Sequence, residues 1–193
     1  MKILREVGIT ILIAVAVFVC LRLTVQSYTV VMSSMEPNFQ DGECIMVNKV
    51  CYRSSGPQRG QVIIFNPPFD SKYPFIKRVI GLPGETVEIK DGKVSINGTP
   101  LEEDEYIMAP PNYTMPTTEV PENEYFVLGD NRNNSTDSSK GWTVPRDNII
   151  GKAWFTYWPP SKLGVVKHYS YPELLGTEGQ EMVLCQSFGV QLE

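Results

Sequence analysis

One stretch of this chain limits its folding options more than any other. Residues 7–23 read "VGITILIAVAVFVCLRL", apolar throughout except for Arg22 at the far end. A bilayer-crossing helix needs ~20 mainly apolar residues, with a range of ~17–25, so the run sits at the short end of what can span. Arg22 is placed where a long side chain can snorkel to the interface. Lys2 and Arg5 precede the run and Arg22 is the only nearby base after it. The positive-inside bias therefore puts Met1 in the cytoplasm and the body of the chain outside. The alternative is a cleaved leader ending near Val25-Gln26-Ser27. Cleavage there would leave the "SSMEP" stretch beside a fraying new terminus, so a retained single-pass anchor in the cell membrane is the expectation. The expected organisation is a cytoplasmic N-terminus at 1–6, an anchor at 7–24, an extracytoplasmic β domain at 25–162, and a tail at 163–193 without clear assignment.

The chain beyond the anchor is patterned for strands. Short apolar or alternating runs at residues 43–52, 60–65, 124–130 and 148–158 are bounded by Gly and Pro. Residues 75–101, "FIKRVIGLPGETVEIKDGKVSINGTPL", predict three strands, with turns at Leu-Pro-Gly-Glu, Asp91-Gly92 and Asn97-Gly98. Residues 106–121 are rich in Pro, Thr and Asn and read as a long loop. No later segment has a helical period. The fold class expected is mainly β: one N-terminal transmembrane helix, then a folded antiparallel sheet or barrel-like domain.

Charged residues make up 20% of the chain and the net charge is -5. That balance lacks the basic face of a nucleic-acid binder, so no nucleic-acid partner is expected. The cysteines, Cys20, Cys44, Cys51 and Cys185, form no C-x-x-C pair, and a body of this size does not need a disulfide framework. With one histidine, His168, and no H-E-x-x-H, neither a metal nor a cofactor is expected.

The chemistry is narrowed by elimination. A Ser-His-Asp triad would have to use His168, in the poorly patterned tail, and a Cys-His pair would need Cys185 there as well. G-x-S-x-G, S-x-x-K and the phosphate loop are absent. A serine activated by lysine remains. Such a lysine must be neutral, and burial among apolar groups lowers its pKa toward the useful range of ~7–8. In "FIKRVI", Phe75, Lys77 and Val79 share one strand face, and Ile76, Arg78 and Ile80 share the other. Either this is an edge strand with snorkelling charges, or Lys77 is held in a dry pocket. "VVMSSMEPNF" (30–39) presents paired hydroxyls directly after the anchor, either as a linker or as a nucleophile near the bilayer. "GDNRNNSTDSSKGW" (129–142) is either a solvated loop or a set of hydroxyls and carboxylates that orient a base.

Taken together and in order, these stretches resemble the bacterial type I signal peptidases, membrane-anchored serine proteases, over the anchor and the body to about Pro160. The resemblance implies Ser34 of "SMEP" as nucleophile and Lys77 of "KRVIGLPGE" as general base. It implies Ser135 as the hydroxyl that orients the lysine, Asp137 as a supporting carboxylate, and Arg78 and residues 129–132 as structural positions. It also implies an oxyanion hole using the Ser34 backbone N–H, and shallow pockets that prefer small residues. The partners implied are the signal peptides of exported preproteins and the lipid bilayer. Three positions depart from the family pattern. Met32 stands where relatives often carry Ser or Gly, and its side chain cannot donate a hydrogen bond, so a second oxyanion donor or a slower rate is implied. Asn38 replaces the usual Thr, and Ser139 stands where a basic residue is expected. "WFTYWPP" (154–160) fits either a membrane contact or core packing. Two rivals remain: a self-cleaving repressor with the same dyad, and a non-catalytic, membrane-tethered β-module for assembly or binding.

Overall fold

The computed structural model describes residues 2–174, so Cys185 and the part of the expected tail at 175–193 lie outside the described residues. One helix, α1 (Lys2–Thr24), opens the chain. Among the described residues it is the one helix long and apolar enough to cross a membrane, over Arg5–Thr24. None of that stretch is buried against the rest of the protein.

Twelve strands come after it, all paired antiparallel: β1 (Val25–Thr29), β2 (Cys44–Asn48), β3 (Val62–Phe65), β4 (Phe75–Gly81), β5 (Thr86–Lys90), β6 (Lys93–Ile96), β7 (Thr99–Pro100), β8 (Met115–Glu119), β9 (Glu124–Leu128), β10 (Val144–Pro145), β11 (Ile149–Trp158) and β12 (Gly164–Val165). The larger sheet runs β1-β2-β11-β3-β4-β9-β10, with β12 added on β11, and the smaller runs β7-β6-β5-β8. The fold is mainly β with curled antiparallel sheets, as the patterning predicts.

The core explains why β3 reads as an unbroken apolar run. Val62 and Ile64 pack with Val30, Met35, Phe39, Ile45 and Val47 on one face. Ile63 and Phe65 pack with Val79, Val127 and Val144 on the other. A strand buried on both faces loses the alternation of a half-exposed one. The smaller sheet closes a third cluster around Val87, Ile89, Val94 and Ile96. Its β5–β6 turn places Asp91 at φ 51° and Gly92 at φ 75°, the paired left-handed residues of a two-residue hairpin.

Two expectations are corrected. Residues 106–121 are not one long loop, because Met115–Glu119 form β8, hydrogen-bonded to β5. β8 ends its sheet, and an edge strand tolerates Pro116 because one side needs no ladder N–H. Residues 75–101 hold four strands rather than three, since Thr99–Pro100 pairs back on β6 after the Asn97-Gly98 turn. The part of the tail that is described is also ordered: β12 pairs with β11, and Val166 and Tyr171 are buried.

Strand register links the end of α1 to the strand that carries Lys77. Val25 lies opposite Asn48, Asn48 opposite Lys152, Lys152 opposite Ile63, and Ile63 opposite Lys77. One row across the sheet thus joins the first residue after α1 to Lys77. Four strand spacings of ~4.8 Å separate them by roughly 19 Å.

Candidate active site

Ser34 rides on a tight turn. The Glu36 N–H donates to the Ser33 carbonyl at 3.1 Å and the Phe39 N–H to the Met35 carbonyl at 2.9 Å. Met35 and Phe39 are buried beneath it and fix the turn to the core. Upstream, Met32 has φ 74°, a left-handed conformation a bulky residue rarely takes. Its N–H is held by Asp41 Oδ1 at 2.8 Å.

Lys77 comes from β4, and Lys77 Nζ lies 2.7 Å from Ser34 Oγ. The amine also donates to the Ile76 carbonyl at 2.9 Å. Lys77 is 4% exposed and Ser34 8%, so the contact is shielded from water. The Phe75 ring lies 5.5 Å from Nζ. No ion pair to Lys77 is formed among the described residues. Burial pulls the amine down from 10.5 to about 8, against the charges of Asp137 and Asp130, which push it up. The snorkelling charges of the edge-strand reading of "FIKRVI" are thereby corrected: Lys77 and Arg78 are both buried, on opposite faces.

The loop after β9 wraps the nucleophile turn. The Asn131 N–H donates to the Ser34 carbonyl at 3.1 Å and Asn131 Nδ2 to the Ser33 carbonyl at 3.2 Å. Asn134 Nδ2 donates to Ser33 Oγ at 2.9 Å. Gly129 permits this approach, because a Cβ there would lie 2.4 Å from both the Ser34 carbonyl oxygen and Ser135 Oγ. Asp137 is fully buried and accepts from the N–H groups of Gly129 at 3.0 Å and Ser139 at 3.1 Å. Ser135 Oγ is buried beside this group with no hydrogen-bond partner.

Arg78 points to the other side of β4 and forks onto Asp130, with Nε–Oδ1 at 2.8 Å and Nη2–Oδ2 at 2.6 Å. Burial alone would pull the Arg78 guanidinium down, but the adjoining Asp130 carboxylate more than reverses this. Asp130 Oδ2 also accepts from Asn38 Nδ2 at 2.8 Å, tying the buried ion pair to the nucleophile turn. A second buried pair, Arg132–Glu103, locks the same loop from behind. Of the clamp residues, Asn131 entered the sequence reading only among the structural positions 129–132, while Ser33 and Asn134 escaped it, because short polar side chains in a polar run look like turn formers.

His168 does not take part. Its Nδ1 accepts from the Val62 N–H at 3.4 Å. Burial, with the nearby charges of Lys152 and Arg78, pulls it down to about 4. Cys20, Cys44 and Cys51 are free thiols, and no cluster of metal-ligating side chains forms among the described residues.

Residues 4–158 match the family described as "Signal peptidase, peptidase S26". A probable signal peptidase I-1 of Synechocystis is 44% identical over 145 residues, 72% of this chain and 74% of that protein. A signal peptidase I of Leptolyngbya laminosa is 47% identical over 138 residues, 68% of each chain. A signal peptidase IB of Staphylococcus aureus is 34% identical over 190 residues, 89% of this chain and 97% of that one.

Proposed function

The chain belongs to the signal peptidase family, peptidase S26, whose members remove signal peptides, and from that premise we propose that its chemistry is carried by Ser34 and Lys77. The observation that carries the assignment is the 2.7 Å approach of a buried amine, whose pKa burial lowers, to a serine hydroxyl. A serine hydroxyl is a weak nucleophile until a base takes its proton. Neutral Lys77 accepts the Ser34 proton as Oγ attacks the scissile carbonyl. The amine then returns that proton to the leaving amino group, leaving an acyl-enzyme. Water, deprotonated by the same amine, attacks the ester and releases the acyl product and free Ser34.

In the neutral amine the lone pair faces the Ser34 hydroxyl and one N–H goes to the Ile76 carbonyl, so the unpartnered Ser135 Oγ is the candidate acceptor for the other N–H. Asp137 fixes the Gly129 end of the loop that carries Ser135. Arg78 holds Asp130 and, through Asn38, the nucleophile turn. The Ser34 N–H, which donates to nothing among the described residues, faces the developing oxyanion.

The substrate edge is supported by the pairing of β4. β9 pairs with β4 only from Arg78 onward, leaving Phe75 to Lys77 without a ladder partner on that side. An extended chain can add there as a strand, which brings its scissile bond to Ser34. The substrates are the signal peptides of exported preproteins, cut at small residues. α1 spans the cell membrane with the N-terminus cytoplasmic, the extracytoplasmic catalytic domain runs from residue 25 past 162 to take in β12, Val166 and Tyr171, and Trp154 and Trp158, 48% and 55% exposed, lie at the interface.

Cleavage of a purified preprotein by the reconstituted full chain tests the assignment. Ser34→Ala and Lys77→Met should each lower kcat by at least about 10^3-fold. The wild-type kcat/KM should rise with pH to a plateau, with an acidic limb near 8. Ordinary turnover by either variant, or a limb near 6, would refute the dyad.

A further inference from the structure

Charge that develops on a carbonyl oxygen during acyl transfer needs donors already in place, and loss of one donor costs about 10^2–10^3 in kcat. The Ser34 N–H supplies one. Met32 cannot supply another: its side chain has no donor, it is turned outward at 64% exposure, and its N–H is taken by Asp41.

Ser33 has an unused donor. A hydroxyl offers one hydrogen and two acceptor sites. The Ser33 oxygen accepts from Asn134 Nδ2 at 2.9 Å, while its own hydrogen finds no acceptor among the described residues. The residue is also held by its carbonyl, which accepts from the Glu36 N–H at 3.1 Å and from Asn131 Nδ2 at 3.2 Å. Ser33 is therefore fixed through backbone and side chain directly before the nucleophile. Because the amide faces its oxygen, the hydrogen is turned elsewhere.

We infer that the Ser33 hydroxyl is the second donor to the oxyanion, and that Asn134 is the positioning residue that keeps its hydrogen free for the substrate. This role rests on the assignment of Ser34 and Lys77 as the dyad. It makes this chain's departure at Met32 a relocation of the donor by one residue rather than its loss.

The test is preprotein cleavage by the full chain in lipid vesicles, with kcat, KM and the pH profile measured for each variant. Ser33→Ala should lower kcat about 100-fold, with KM within about twofold and the acidic limb unmoved. Ser33→Thr, which keeps the hydroxyl, should recover most of the loss. Asn134→Asp places an acceptor where the amide donated and captures the hydrogen, so it should be slower than Asn134→Ala, although Asp is the closer isostere. Ser33→Ala with kcat near wild type, failure of Ser33→Thr to recover, or Asn134→Asp faster than Asn134→Ala would each overturn the inference. Ser34→Ala is run alongside. An active Ser34→Ala removes the underlying assignment, whereas an inactive one beside a fully active Ser33→Ala removes only the Ser33 donor.

Discussion

An amine that must be neutral near physiological pH has to be held away from water, and the cost falls on the fold. Lys77 titrates at about 8 in the folded chain against 10.5 when unperturbed, which corresponds to about 3 kcal/mol of lost stability. Proton counting gives the sign. Below about 8 both the folded and unfolded chains carry the proton and the full cost is present. Between about 8 and 10.5 the folded chain binds fewer protons than the unfolded one, so stability rises with pH. Above 10.5 the cost is gone. Lys77→Met keeps the stem volume without the charge. In detergent micelles the variant should be more stable than wild type at pH 7 by up to about 3 kcal/mol. The gap should shrink steadily as unfolding is measured at pH 8, 9 and 10. A gap independent of pH would show that burial does not depress the amine.

Strand β4 joins the proposed catalytic amine to its electrostatic support, because consecutive residues point to opposite faces. Lys77 faces Ser34, while Arg78 neutralises Asp130 behind it. Asp130 is one of the two carboxylates that push the Lys77 pKa up, so its neutralisation by Arg78 helps keep the amine uncharged. Removing one partner of a buried pair leaves the other uncompensated and typically costs ~3–5 kcal/mol. The kinetic effects should go in opposite directions. In Arg78→Met the freed Asp130 charge should move the acidic limb of kcat/KM to higher pH. In Asp130→Asn the unmatched guanidinium should move it lower. Limbs that coincide with wild type in both variants would break the proposed coupling. Part of this was legible in sequence: apolar residues two positions either side of both cations in "FIKRVI" point to two buried charges. Their partners were not legible, since the Arg78–Asp130 and Arg132–Glu103 contacts depend on how β4 meets β9 and how residues 101–106 return, both long-range. β8 was hidden because Pro116 and adjoining threonines read as a loop unless the strand is known to be an edge. The clamp of Asn131 and Asn134 on Ser33 was hidden because its hydrogen bonds span about a hundred residues of sequence.

At the scale of the whole molecule, the sheet acts as a ruler between the anchor and the dyad. The row Val25, Asn48, Lys152, Ile63, Lys77 ties the proposed catalytic amine to the end of α1 across four strand pairings, and so would set its height above a bilayer that α1 crosses. The junction itself is pinned, because the Thr24 carbonyl accepts the Lys49 N–H at 2.9 Å. A substrate held in the same bilayer presents its scissile bond at a set depth, so a fixed dyad meets it at high effective concentration. Four flexible residues, Gly-Ser-Gly-Ser, inserted between Thr24 and Val25 leave every strand register intact and release only this height. Cleavage of a vesicle-embedded preprotein by the insertion variant should then fall about tenfold, since effective concentration drops as a tether gains length and freedom. Cleavage of a short soluble peptide should stay within about twofold of wild type, because the Ser34–Lys77 contact is untouched. Equal losses on both substrates would place the damage in the active site. No loss on either would show that the depth set by the sheet has no part in catalysis.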